Sequence, residues 1–443
     1  MLNYIWLALI LLAVVLGGAT HQLKGVTDAA FAAARTAVVD LALPLVGITA
    51  LWLGLMRLAD RSGLIQVLAR TLRPLLRRLF PDVPPDHPAM GSMLLNMSAN
   101  LIGLTNAATP LGLRAMKDLE SLNPHPGTAT NAMCTFLAIN TGSLQLVPLT
   151  AIGILSVAGS TRPTAIIGTA LLATACAQVV GITSVKLLQR LPVFRAPANG
   201  ASPVARPTTA PAVEPARPDA QGDRPPRALP GWGRVIVLAF VAATLGTAIW
   251  TMNQPSPGGA PDSGFARLLD AVSTVAVPFL IAFLPLYAAL RGIRVYEEFV
   301  EGAREGFQVA VRIIPFLVAM LVAVGMFRAA GGVGIIAQAL QPMLDTVGFP
   351  SELLPMALTR PLSGSATIGL FADLVKTSGP DSLLARMGGT LLGSTETTFY
   401  VLAVYFGSVG ITRTRHAVAA GLLADLAGIV ASVTICRLLF ASH

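Results

Sequence analysis

Ala69-Arg70-Thr71-Leu72-Arg73-Pro74-Leu75, in the first half of the chain, is matched in the second by Ala337-Gln338-Ala339-Leu340-Gln341-Pro342-Met343. At nearly the same offset Pro44 matches Pro315, Met56-Arg57 matches Phe327-Arg328, and Phe80-Pro81 matches Phe349-Pro350. Further on the offset shortens, so that Thr161-Arg162 meets Thr412-Arg413, Leu171-Leu172-Ala173 meets Leu422-Leu423-Ala424, and Lys186-Leu187-Leu188 meets Arg437-Leu438-Leu439. Apolar composition inflates chance matches, but it does not order Pro and basic landmarks along a chain. The chain reads as a duplication, with one unit from about residue 26 to 191 and the other from about 297 to 440.

With 443 residues, 54% hydrophobic and 12% charged, and a mean hydropathy of +0.69, the chain has more apolar surface than a soluble fold hides. It reads as an all-α polytopic membrane protein. The net charge of +9 does not point to nucleic acid, because the basic residues flank apolar segments and mark cytoplasmic ends. Cys134, Cys176 and Cys436 lie in apolar stretches at no metal-ligand spacing and read as small core hydrophobes. Tyr4 to Ala19 reads as a retained membrane helix, since no basic residue precedes it and a good cleavage site is lacking.

Between Leu191 and Trp232 the composition turns to Pro, Ala, Arg and Asp, the mark of a disordered linker. The expected organisation is a membrane unit at residues 1–191, a cytoplasmic linker at 192–232 and a second membrane unit at 233–443. Spans of roughly twenty apolar residues are expected at Val38 to Leu58, Ile166 to Leu188, Val235 to Met252, Leu268 to Leu290, Ile313 to Phe327 with its preceding turns, and Ala417 to Leu439. Four further apolar regions are broken: Met90 to Met116, Ala129 to Val157, Leu354 to Val375 and Met387 to Val409. After its first span the early unit carries Arg57, Arg61, Arg70, Arg73, Arg77 and Arg78, whereas the late unit keeps only Arg328 there. Before that span the bias reverses, with Arg291, Arg294, Arg304 and Arg312 in the late unit. The positive-inside rule then orients the two units oppositely, with both arginine stretches and the linker in the cytoplasm. Two inverted repeats, each with broken or re-entrant helices, give about nine crossings, and Leu64 to Phe80 forms an amphipathic helix suited to lipid headgroups.

Unwound backbone survives at membrane depth only where protein or a wet cavity covers it. Inverted-repeat transporters place such segments at the midplane, facing the ligand. The early unit offers Asn96, Ser98, Asn100, Thr105, Asn106, Thr109, Asn131, Asn140, Thr141, Ser143 and Gln145. The late unit offers Arg360, Ser363, Ser365, Thr367, Ser394, Thr395, Glu396 and Thr397. For each uncharged member two readings stand, contact with a solute or hydrogen-bonded glue between helices. Glu396 is the sharpest signal, because an acid inside an apolar span is costly unless paired, protonated or hydrated. It is a candidate for coupling a proton or cation, against the rival reading of a structural pair with Arg360. Asp425 is a second ion-coupling candidate, against a pair with His416 or Arg413, and Asp373 is a weaker one. His21, His87 and His125 read as solvated loop residues. No phosphate loop, metal helix or paired nucleophile and base appears, so neither an enzyme nor a cofactor is expected.

Two long motifs carry a resemblance. Asn96-Met97-Ser98-Ala99-Asn100-Leu101-Ile102-Gly103-Leu104-Thr105-Asn106-Ala107-Ala108-Thr109-Pro110, with Asn131 to Thr141, resembles spore maturation protein A. Pro361-Leu362-Ser363-Gly364-Ser365, with Gly393-Ser394-Thr395-Glu396-Thr397-Thr398-Phe399-Tyr400 and its continuation to Gly410, resembles spore maturation protein B. The chain is similar to a fusion of the two, both of the nucleoside-recognition or Gate-domain group. The resemblance implies a transporter-like core and an envelope or spore-maturation role, and it does not fix a substrate; the inverted repeats converging on polar broken segments point to a bacterial inner-membrane protein that moves or binds a small polar or anionic solute by alternating access. Homo-oligomers are common among transporters of this shape. A non-transporting scaffold for envelope machinery is the alternative, since architecture does not carry function with it.

Overall fold

The computed structural model describes residues 2–102, 105–194, 227–253, 264–332, 334–335 and 348–440. The landmark Ala337 to Met343, Val333, most of the linker, and the side chains of Thr105 and Asn106 lie outside the described residues. The described chain is helical, with a single isolated bridge between Thr128 and Arg413. Four of its helices are long and apolar enough to cross a bilayer: Pro163–Leu188, Gly231–Met252, Arg267–Leu290 and Ala417–Phe440.

After α1 (Leu2–Ala19), the early unit opens on one continuous helix made of α2 (Leu23–Arg35), a π segment (Thr36–Ala42) and α3 (Leu43–Arg61). Pro44 explains the π segment. It has no N–H to give the carbonyl four residues back, and the Leu43 N–H reaches instead to the Val38 carbonyl five residues back. The late unit opens on α12 (Val295–Ala329). The two long helices run antiparallel: Gly302 faces Leu53 and Gly54, Gly306 faces Thr49 and Ala50, and Gly325 faces Ala29 and Ala33. Only glycine fits at positions 302 and 306. A Cβ on Gly306 would lie 2.6 Å from the Ala50 Cα and 2.8 Å from the Thr49 carbonyl oxygen. The contact is also reciprocal, since Gly54 and Gly325 occupy matching places in the two units and each meets the opening helix of the other.

The pattern repeats deeper in the fold. After α4 (Leu64–Leu79) come α5 (Pro88–Ile102) packed on α6 (Thr105–Glu120), then α7 (Asn131–Gly142), α8 (Leu149–Val157) and α9 (Ile166–Leu188). Two further helices, α10 (Gly231–Met252) and α11 (Gly264–Leu290), meet through Phe240, Phe279 and Phe283. The late unit continues with α13 (Leu354–Thr359), α14 (Gly364–Ser378), α15 (Leu383–Ser394), α16 (Thr398–Gly407) and α17 (Ala417–Phe440). Helices α9 and α17 cross antiparallel, with Gly181 against Ala424 and Ala177 against Gly428. Ala177 and Gly428 are matching positions of the aligned sequences, so these two helices meet at an equivalent pair. The loops agree. Gly127 accepts from the Thr412 and Arg413 N–H groups, 3.0 Å each. At the matching place, Asp381 accepts from Ser160 Oγ at 2.6 Å and from the Thr161 N–H at 3.0 Å.

One end of the molecule gathers the two basic stretches. Arg57 pairs with Glu298 (2.9 Å) and Glu305 (2.6 Å), Arg61 pairs with Glu298 (3.2 Å), and Arg291 Nε donates to the Ser62 carbonyl. Lys186 Nζ donates to the Leu79 carbonyl, and the Arg227 N–H donates to Arg291. The helix expected over Leu64 to Phe80 forms over Leu64–Leu79, with Ile65, Ala69 and Leu76 on its buried face. Two expectations change. Cys176 is exposed on the outer face of α9, while Cys134 and Cys436 are buried. Asp373 pairs with Arg328 at 2.5 Å.

Candidate functional site

The apolar runs at α7–α8 and α15–α16 break at matching residues, Gly142-Ser143-Leu144-Gln145 and Gly393-Ser394-Thr395-Glu396. Ser143 closes α7 in the left-handed region (φ 31°), a conformation unfavourable for a residue with a Cβ. The freed carbonyls at this break are capped from α9, since Thr174 Oγ1 donates to the Gly142 and Ser143 oxygens at 2.8 and 3.1 Å. The breaks are joined directly, because the Glu396 N–H donates to the Thr141 carbonyl at 2.7 Å. A third break, Arg360 to Ser363, separates α13 from α14, where Ser363 Oγ caps the Ala366 N–H at 3.2 Å.

A cavity of about 460 Å³ lies where these breaks meet. Gln145 and the start of α8 (Leu149, Thr150) form one wall, and Arg360, Ser363 and Ser365 another. Glu396, Thr397 and Tyr400 complete it. Its size falls in the range of small-molecule sites. Arg360 is only 5% exposed, its Nε has no hydrogen-bond partner, and among the described residues it forms no ion pair within 4.0 Å. The structural pair with Glu396 does not form: no nitrogen–oxygen approach between them falls within 4.0 Å. Glu396 accepts only a 3.3 Å contact from the Thr397 N–H. Two opposite charges thus face one cavity without touching.

The other candidates divide. Asn96, Asn100 and Asn140 join Tyr405 in a buried network: Asn100 Nδ2 and Tyr405 Oη donate to Asn140 Oδ1 at 2.9 and 3.4 Å, and Asn96 Nδ2 donates to the Ala108 carbonyl at 2.8 Å. Ser98, Thr367 and Ser394 return their hydroxyls to their own helices. Thr109 is half-buried outside the cavity. Thr141 and Thr395 are buried behind it with unpartnered hydroxyls. Asn131 lines a different cavity, of about 510 Å³, with Asp82, His125 and Arg415. Asp425 does not pair with His416 or Arg413. Its Oδ2 accepts from Thr398 Oγ1 at 2.6 Å and its Oδ1 has no partner, while both His416 nitrogens are also unpartnered. Leu149, Thr150, Tyr400 and Tyr405 were not expected at these places. Tyr400, in the first turn of α16, and Tyr405, five residues on, point to different sides of that helix, so no single period flags both.

The family profile described as nucleoside recognition, the Gate domain, matches residues 42–187 and 310–412, more than half of the chain. Spore maturation protein B of Bacillus subtilis (strain 168) is 46% identical over 176 residues, which is 40% of this chain and 99% of that protein. Spore maturation protein A of the same organism is 42% identical over 174 residues, 39% of this chain and 88% of that protein. The Alcanivorax borkumensis YdaH transporter, a crystal structure of unusual topology, is similar at a TM-score of 0.43 and 16% identity over 98% of this chain and 96% of that one. The chain therefore belongs to the nucleoside recognition (Gate) family, and in it one polypeptide combines similarity to spore maturation proteins A and B.

Proposed function

We propose that this protein is a secondary transporter of the bacterial cytoplasmic membrane, carrying a small polar or anionic solute by alternating access of two inverted repeats. The repeats, at about residues 26–191 and 297–440, lie within membrane units at 1–191 and 233–443 that together make about nine crossings. The observation that carries the reading is the cavity between their broken helices, where Gln145 of one unit faces Arg360, Glu396 and Thr397 of the other. Broken helices bring unsatisfied backbone ends to a solute, and a pair of inverted units lets one rock against the other. Ser363, Ser365 and Gln145 contact the solute, and Glu396 couples its movement to a proton or cation, with Asp425 behind it. The asparagine network packs α5 and α7 against α16 rather than touching the solute. An envelope role accords with the names of the relatives.

Uptake into proteoliposomes tests this. Labelled nucleosides, amino acids and organic acids are supplied under an imposed proton or sodium gradient, with Glu396→Gln alongside. At least one class accumulates in the wild type and fails to concentrate in the variant. Absence of uptake for every class under both gradients would move the weight to a scaffold for envelope machinery.

A further inference from the structure

We propose that the cavity is built for a zwitterion: a small solute with an anionic carboxylate or phosphate at one end and an ammonium at the other. The inference rests on the reading of this cavity as the solute site. Arg360 is nine-tenths buried, has no partner at its Nε and opens on the cavity beside Gly364, at the first turn of α14. Its guanidinium, the hydroxyls of Ser363 and Ser365, and the N-terminal end of a fifteen-residue helix converge on one wall. That is the donor set of an anion seat.

Glu396 faces the same space and has no cation on it. Asp425 does not share this role. It is 1% exposed, lies behind the wall and is held by Thr398. A simple anion on Arg360 therefore sits across the cavity from a second negative charge. At an effective dielectric of about 20, repulsion between two like charges held apart in one cavity weakens binding on the order of tenfold. An ammonium on the same solute turns the penalty into an attraction of similar size. Unpaired charges of both signs, kept apart in one enclosed space, are complementary to a molecule that carries both.

A free amino acid-like solute and a phosphoethanolamine lipid headgroup share this chemistry, and the test separates them. The protein is held in phosphatidylglycerol nanodiscs, and thermal unfolding is followed with millimolar γ-aminobutyrate, lysine or O-phosphoethanolamine. Butyrate, methyl phosphate and butylamine supply the half-molecules. A parallel arm dopes the discs with phosphatidylethanolamine.

The expected result is stabilisation by a zwitterion at concentrations at least tenfold below those at which its halves act. That stabilisation is lost in Arg360→Gln and in Glu396→Gln and partly kept in Arg360→Lys. Glu396→Gln also gains response to butyrate, which a merely unfolded variant could not do. Stabilisation confined to the doped discs assigns the zwitterion to lipid. The proposal is overturned if butyrate or methyl phosphate stabilises the wild type as strongly as any zwitterion. It is equally overturned if the zwitterion response persists in Glu396→Gln, or if no zwitterion acts. Uptake of a neutral or purely anionic solute in proteoliposomes would then leave the transporter reading standing without this charge assignment.

Discussion

Substituting Gly306 by alanine probes the helix crossing on which the opposed arrangement depends. The new Cβ would sit 2.6 Å from the Ala50 Cα and 2.8 and 2.9 Å from backbone atoms of Thr49 and Ala50. Carbon atoms pack at about 3.5–4.0 Å, so α12 must move about 1 Å away from α3. No flexible side chain can yield instead, because every atom met is backbone. Overpacking of this kind costs about 1–3 kcal/mol. The better helix propensity of alanine returns up to about 1 kcal/mol. A net loss of about 1–2 kcal/mol follows for Gly306→Ala. The double variant with Gly302→Ala loses about 2–3 kcal/mol, less than additive because one opening relieves both contacts. The control is Gly47→Ala, on an exposed face of α3 with nothing within 4 Å of its Cβ, which loses nothing. Unfolding in detergent followed by circular dichroism reads all four proteins. Equal stability of Gly306→Ala and Gly47→Ala would refute the close antiparallel crossing.

Thr398→Val removes the hydroxyl that donates to the buried Asp425 carboxylate at 2.6 Å and should cost about 1–3 kcal/mol in the same melt, with Thr398→Ser close to wild type. Arg360→Met should raise the melting temperature of the solute-free protein, because the desolvation of the buried guanidinium outweighs its attraction to Glu396 and Asp425, with which it makes no contact; a clear drop would show that this attraction dominates. In the loop before α15, burial pushes the Asp381 carboxyl up, but bonds from Ser160 and Thr161 and the nearby Arg386 outweigh it and hold it below the usual carboxylate range. A depressed carboxyl stabilises fully above its unfolded value near 3.9 and loses that contribution as pH falls through the folded value. Melting temperature should thus fall below about pH 4 in the wild type, and Asp381→Asn should be less stable at neutral pH with a flatter acid limb. Parallel acid limbs in the two proteins would contradict this.

Much of the architecture was legible because it rests on features that sequence encodes directly. Helix-breaking residues at Gly142 to Gln145 and Gly393 to Glu396 mark the breaks, and arginine placement put Arg57, Arg61 and Arg291 at one end, where they meet Glu298 and Ser62. The division of the polar residues was not legible. Whether Asn100 turns toward Asn140 or toward a cavity depends on how α5 is rotated against α7, and spacing along one helix does not carry that angle. Arg360 and Glu396 lie in separate breaks, so their near miss is set by three irregular segments at once. Asp425 finds Thr398 rather than His416 because His416 sits more than two helical turns away, before the start of α17, whereas α16 begins beside it. The π segment before Pro44 shows the same limit: proline announces a missing bond, not how the helix will re-register.

The most direct test of the central claim is the accessibility of Ser365, in the cavity wall, from each side of the membrane. Ser365→Cys is placed in protein whose Cys134, Cys176 and Cys436 are replaced by alanine, reconstituted in vesicles and exposed to a membrane-impermeant thiol reagent from outside or from inside. The account predicts labelling from both sides, slowed from each by a bound solute. Labelling from one side alone under every gradient, or from neither, would contradict a cavity alternately opened by two opposed repeats.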